Sequence, residues 1–307
     1  MTSKVDVSGA VVVGLDGSLE SDLALDWGCA QAQLEHRPLV LLHATALPLS
    51  PRPWSHPRGP LQLATWSGNN LLQSAHERIE GYTSNVEVRL DLRGGWPRTA
   101  LLDASTRAAM LVLGATGTGG ATSVLRGSVA GALTRTASCP VVVVRRRPQA
   151  RYDGLLVGTD GTAVSEPALT FAFRVASVRS WPLTVLHCFW DDTRRTGDLP
   201  ALAAAGAEQR AMLDAVVAPH RLRHPEVKVD LLLSRGFADR RLVAASRDYE
   251  MVVLGHHRLA PLDALVWGNV TPLVVRDATS DLAVVPYVTT RTPSTSASPG
   301  ADPAVRR

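Results

Sequence analysis

Ten short apolar runs punctuate the chain, and the stretches between them return apolar residues every three or four positions. In the first half the runs fall at residues 10–13, 39–44, 86–92, 110–113 and 141–144. In the second they fall at 155–157, 183–188, 227–233, 251–254 and 282–285. Near-continuous Val and Leu over so few residues predicts strands buried on both faces. After the first run, Leu23, Trp27, Ala30 and Leu34 share one face of a helix that Ser18 or Ser21 can cap. Leu101, Leu102, Ser105 and Ala109 mark a helix before the fourth run, and residues 69–79 and 129–137 mark two more. Strands alternating with helices predict an α/β fold, a parallel sheet covered on both faces and built from right-handed βαβ units.

The pattern repeats because the sequence does. Val12-Val13-Gly14-Leu15-Asp16-Gly17-Ser18 returns as Leu156-Val157-Gly158-Thr159-Asp160-Gly161-Thr162, and Leu42-His43 returns as Leu186-His187, both 144 residues on. Val86-Glu87-Val88 and Leu113-Gly114 return as Val227-Lys228-Val229 and Leu254-Gly255, 141 residues on. The slip of three residues falls between the second and third strands. A duplicated domain follows, with copies at residues 8–147 and 152–288 and a Thr/Ser/Pro-rich tail at 289–307 that reads as disordered. Pro48, Pro51, Pro53, Pro57 and Pro60, with Trp54 among them, predict an irregular loop before the second helix: a plain surface loop or a cover over a site.

With 307 residues, 45% of them hydrophobic, each copy has ample material for a core. The net charge is +4 and the pI about 9.3, but the arginines are scattered, in short clusters such as Arg145-Arg146-Arg147 and Arg240-Arg241. No basic stripe with interleaved aromatics marks a nucleic-acid surface. Cys29, Cys139 and Cys188 are widely spaced in apolar surroundings, as expected of buried thiols in a reducing compartment. The start of the chain carries no signal-like apolar core, and no uncharged run approaches the roughly 20 residues of a membrane helix. The expectation is a cytoplasmic protein without a membrane partner.

The chemistry concentrates after the fourth run. Gly114-Ala115-Thr116-Gly117, nine residues and then Gly127-Ser128-Val129 form a glycine-bearing loop between a strand and a helix. Glycines let backbone N–H groups approach an anion, and a helix start adds free N–H groups and a positive dipole end. The plainer alternative is that these glycines only make tight turns and that Asp16 only caps one. In an open parallel sheet, ligands bind beyond the carboxyl ends of the strands, where strand order reverses. If the first and fourth strands are neighbours, Asp16 and this loop face one crevice. An ionised carboxylate only accepts hydrogen bonds, so Asp16 suits a ribose hydroxyl or a base amino group, and the loop suits phosphate.

The spacing G-x2-G-x9-G-[S/T], the V-G-x-D-G-S first strand and the ending Ser138-Cys139-Pro140-Val141-Val142-Val143 resemble the nucleotide-binding universal stress proteins. The resemblance covers both halves, as tandem UspA-type domains. It implies two doubly wound, Rossmann-like domains of the adenine nucleotide α-hydrolase-like group, each a five-stranded parallel sheet of order 3-2-1-4-5, packed as an internal pseudo-dimer through their last strands. It also implies that Gly14, Asp16 and the Ala44 backbone surround adenosine. Gly114, Ala115, Thr116, Gly117 and Gly127 would line the phosphates, with Ser128 and Val129 at the terminal phosphate of ATP and any Mg²⁺. AMP or another adenine nucleotide remains an alternative ligand.

The second half departs from the motif. Gly255-His256-His257-Arg258, nine residues, then Gly268-Asn269 keeps the spacing, but Arg258 replaces the second glycine and Asn269 the Ser/Thr. A site there would use Gly158, Asp160, Gly255, Arg258, Gly268 and Asn269, with Arg258 pairing phosphate. No G-x4-G-K-[S/T] or G-x-S-x-G motif is present. His220 and His224 have helical metal spacing without a third ligand and read as a surface pair; His43 and His187 read as packed scaffold. The expected function is an ATP-binding stress sensor or regulator acting on an unidentified protein partner, not a turnover enzyme, because no base is evident to activate water. A nucleotide-independent interaction module on the same fold is the alternative, and a homodimer is open.

Overall fold

The first half runs β1 (Val11–Gly14), α1 (Leu19–Leu34), β2 (Leu39–Ala44), α2 (Pro60–Glu80), β3 (Val88–Arg93), α3 (Pro97–Ala104), β4 (Met110–Gly114), α4 (Ser128–Thr136) and β5 (Val141–Val144). The second runs β6 (Leu155–Thr159), α5 (Glu166–Arg179), β7 (Leu183–Phe189), α6 (Leu199–Arg223), β8 (Val229–Arg235), α7 (Ala238–Ala245), β9 (Met251–His256), α8 (Val270–Asp277) and β10 (Asp281–Pro286). These come from a computed structural model that describes residues 5–45, 60–81, 85–117, 128–147, 153–189, 199–256 and 270–287. The tail at 289–307 lies outside the described residues, as does the proline-rich stretch up to residue 59.

All ten strands form one sheet of order β3-β2-β1-β4-β5-β10-β9-β6-β7-β8, so each half has the expected order 3-2-1-4-5. Pairing is parallel within each half and antiparallel where β5 meets β10. Val142 faces Ala283, while Val141 faces Val284 and Val143 faces Leu282. With the repeat offset of 141, that register is symmetric about the Val142–Ala283 pair, which makes the two halves an internal pseudo-dimer. Alternate strand residues feed two cores. Val11, Val13, Leu39 and Leu41 pack with α1, α2, α5 and α6; Val12, Val40, Leu111 and Leu113 pack with α3, α4, α7 and α8.

Several boundaries differ from the sequence reading. Helix α3 runs Pro97–Ala104, so Ser105 caps its end and Ala109 lies beyond it, next to β4. Helix α2 starts at Pro60, not at residue 69. The last proline of the irregular stretch takes the first helical position, where its fixed φ suits the helix and its missing N–H removes no bond. Strands β3 and β8 start at Val88 and Val229, two residues late. Glu87 still bonds the Leu39 N–H through its carbonyl, but in-register pairing begins only at Val88. Arg93 extends β3 because Asp91 and Asp103 pair its buried guanidinium at 2.8 Å.

The Arg145–Arg147 cluster serves the seam between halves. The Arg145 N–H donates to Asp281 at 2.9 Å and its guanidinium to the Val275 carbonyl, while Arg147 pairs with Glu250 at 2.5 Å and lies 3.7 Å from Asp281. On the other face Arg174 pairs with Glu35, and Arg179 bonds Gln31 at 2.7 Å with its guanidinium 4.4 Å above Trp27. Burial is the main force on the thiols, raising Cys29 to about 11 and Cys139 to about 12. His220 corrects the surface-pair expectation: it is buried, stacked 5.0 Å from Phe173 and bonded to Glu166. Among the described residues no helix is long and apolar enough to cross a membrane.

Candidate functional site

The site grows from the turn after β1. The Leu15 N–H is still held by the Leu42 carbonyl at 2.9 Å, and the chain then leaves the sheet. Gly17 takes φ +81, a conformation side chains resist, which brings Ser18 back over Asp16. One Asp16 carboxylate oxygen accepts the Ser18 N–H at 3.0 Å and its hydroxyl at 2.6 Å. Ser18 in turn caps α1 by accepting the Ser21 N–H, with Glu20 and Asp22 in the favourable first turn.

Strand β4 lies directly beside β1, and its closing residues press on this turn. A Cβ on Gly114 would sit 2.7 to 2.9 Å from the Glu20 backbone and Cβ, so only glycine admits the first turn of α1 at that distance. A Cβ on Gly117 would sit 2.4 Å from the second Asp16 carboxylate oxygen. The Ser18 hydroxyl also lies 3.4 Å from the Thr116 carbonyl. The Asp16 turn and the glycine loop are therefore one contiguous surface at the point where strand order reverses. The Ala115 N–H is committed to the Val144 carbonyl at 2.9 Å, and Thr116 and Gly117 beyond it are exposed.

The remaining positions divide by element. Gly14 packs: a Cβ there would meet Leu113 at 2.6 Å and Leu101 at 3.3 Å, which accounts for this glycine by the core beneath it. Ala44 is buried at the end of β2, and Ser128 opens α4 with half-buried Val129 behind it. Gly127 lies outside the described residues. His43 ties β2 to the turn, its Nδ1 2.8 Å from the Leu15 carbonyl, and His187 makes the same bond to Thr159 at 2.9 Å.

The second half shares the backbone and changes the contacts. Asp160 accepts the Thr162 N–H at 2.9 Å, the Thr162 hydroxyl at 2.8 Å and the Ser165 hydroxyl at 2.6 Å. Burial pushes its pKa up, but these donors outweigh burial and hold it below the usual carboxylate value. Pro167 stands where the first half has Leu23, and a 3-10 turn, Ala163–Ser165, precedes α5. That turn stands off from β9: a Cβ on Gly255 would find its nearest neighbours at 3.6 and 3.8 Å. Gly158 packs on Leu254 and Leu242, as Gly14 does on its counterparts. Arg258, Gly268 and Asn269 lie outside the described residues.

Two residues at this edge of the sheet escaped the motif. Thr45, just past β2, has a buried hydroxyl without a hydrogen-bond partner, and Trp96, just past β3, is 65% exposed. Aligning the copies finds the second, because Phe237 stands 141 residues after Trp96.

The chain matches the universal stress protein family twice, over residues 9–145 and 151–286. It is 32% identical over 290 residues to a universal stress protein of Mycolicibacterium smegmatis, covering 90% of this chain and 96% of that one. A universal stress protein of Mycobacterium tuberculosis matches at 32% over 292 residues, with the same coverage. Among solved structures, a universal stress protein from Archaeoglobus fulgidus superposes with a TM-score of 0.68 at 16% identity, over 92% of this chain and 98% of that one. A second, described as a putative universal stress protein from Pseudomonas aeruginosa, gives 0.62 at 18%, over 91% and 93%.

Proposed function

The chain belongs to the universal stress protein family as a tandem member, and from that premise we propose that its first half binds an adenine nucleotide, ATP with Mg²⁺ in the first instance. In this reading the protein is a stress-response regulator that senses ATP without efficient turnover. Occupancy alters a surface read by a protein partner. The observation that carries the reading is the contact between the turn and the loop, where a Cβ on Gly117 would come within 2.4 Å of the Asp16 carboxylate. Asp16 takes the ribose or base, the backbone of Thr116 and Gly117 takes the phosphates, and Ser128 at the start of α4 takes the terminal phosphate and its cation.

The second reading is an interaction module that needs no nucleotide. It is favoured by the second half, where three donors consume one Asp160 carboxylate oxygen within its own turn. One experiment separates them: mass spectrometry of small molecules released from the purified chain, with a thermal-shift titration of ATP against wild type and Asp16→Asn. The sensor reading expects adenine nucleotide in the wild type and about a tenfold loss of affinity in D16N, with product release far below one turnover per minute. A wild type that carries no nucleotide and shows no shift with ATP sinks it. Sustained ADP production would make the protein an enzyme.

A further inference from the structure

Each half displays one large aromatic at the same place. Trp96 and Phe237 stand 141 residues apart and are 65% and 55% exposed. Each follows a glycine in the left-handed region, Gly95 at φ +97 and Gly236 at φ +105, and each precedes a helix without making a side-chain capping bond. Leaving so much aromatic surface in water is unfavourable; the Phe237 ring carries the Arg240 guanidinium at 5.4 Å.

The sheet order says what lies beside it. The carboxyl ends run β4, β1, β2, β3, and neighbouring strands are about 4.8 Å apart, so the row spans about 14 Å. A nucleotide with phosphate over the β4 loop and ribose at Asp16 lays its base across the ends of β2 and β3. In the first half the described residues at those ends are small. Ala44 pairs with Arg93 as the last register pair, and Thr45, Gly94 and Gly95 follow, with Trp96 at the rim. Thr45 stands one residue past Ala44, and its hydroxyl is buried without a partner.

The second half fills the equivalent space with its own side chains. Its ladder continues one pair further, Phe189 opposite Arg235, where the first half has Thr45 and Gly94. The Arg235 guanidinium lies 5.8 Å over the Phe189 ring, which also stacks on His187 at 6.4 Å, and the Gly236 N–H closes onto the Phe189 carbonyl at 3.3 Å.

We propose that Trp96 is the base-stacking residue of the nucleotide site, and that Phe189 and Arg235 occupy the matching subsite of the second half. The proposal rests on the nucleotide reading above and adds the residue that recognises the base. Stacking of a base on an aromatic ring predicts a 10- to 100-fold loss of ATP affinity in Trp96→Ala. Trp96→Phe keeps most of the affinity. Calorimetry and tryptophan emission of the full chain test it, with ATP and inorganic tripolyphosphate as probes and a melting curve to check that each variant folds. The expected result is ATP-dependent quenching in wild type that is lost in W96F, weakened ATP binding in W96A, and tripolyphosphate binding unchanged in both. ATP bound equally by wild type and W96A overturns the stacking role and leaves the nucleotide reading standing. A wild type that binds neither probe removes both.

Discussion

Asp16 and Asp160 end equivalent strands on equivalent backbones, with Gly17 and Gly161 at φ +81 and +77, yet their carboxylates meet different surroundings. Asp160 is held by Thr162 and Ser165. In the first half the matching hydroxyl, that of Ser21, turns instead to the Ser18 carbonyl at 2.8 Å, and Asp16 keeps one oxygen against Gly117. The change traces to one helix start. Pro167 lacks an N–H and imposes a 3-10 turn, which lifts the chain off β9 and aims Ser165 at Asp160. Leu23 permits a regular first turn that sits down on Gly114. The same scaffold thus carries two different turns, according to how closely the start of the helix sits on the glycine of the neighbouring strand.

The comparison is broken most directly at the two glycines that end β4 and β9. Gly114→Ala drives a Cβ to within 2.7 Å of the Glu20 backbone, which cannot swing aside as a side chain would. We expect a loss of about 3 kcal/mol in urea unfolding, at the upper end for overpacking, and loss of ATP binding as α1 is pushed from the loop. Gly255→Ala makes ordinary contacts at 3.6 and 3.8 Å and should change stability by less than about 1 kcal/mol. Equal costs in the two variants would mean the halves close alike.

The strands were legible because each is a short run of Val and Leu, and the repeat fixed their number. Motif spacing singled out Asp16, Gly114 and Gly117, and the structure brings them together because close backbone approach demands glycine at the latter two. It could not separate Gly14 from them, since a glycine that admits Leu113 looks like one that admits a ligand. It missed Pro60 as a helix start because proline reads as a breaker except at the first position. Thr45 carries no local signal: its orphaned hydroxyl follows from what surrounds it in space. His220 misled for a similar reason, since its burial depends on Phe173 and Glu166, 47 and 54 residues away.

The seam sharpens the comparison next. Pro140 immediately precedes the last strand of the first half, and the second half has Asp281 at the matching position, 5% exposed. Burial drives its pKa up from 3.8 to about 6, opposed by Arg147, the Arg145 N–H and Arg179 and assisted by Glu250. A carboxyl whose folded pKa is raised contributes stability that is complete below the unfolded value and is lost as pH climbs through the folded one. Relative to Asp281→Asn, the wild type should gain about 2 kcal/mol between pH 7.5 and pH 4.5. Urea unfolding of both proteins at those two pH values reads the difference. A gap that stays constant would mean that Asp281 keeps one charge state throughout.

The smallest effect is the most discriminating, because its sign differs with and without ligand. The Thr45 hydroxyl is buried and unpartnered, whereas its counterpart Phe189 has no polar atom to satisfy. Thr45→Val keeps the shape and removes the orphan, so the unliganded protein should be unchanged or more stable by up to about 1 kcal/mol. If the hydroxyl meets the edge of a base, the same variant binds ATP about threefold to tenfold more weakly while binding tripolyphosphate unchanged. Stabilisation without loss of affinity would make Thr45 a packing defect and leave the base held by Trp96 alone. Loss of stability would show that the hydroxyl finds a partner in the folded chain, and the two strand ends would then differ in size and not in chemistry.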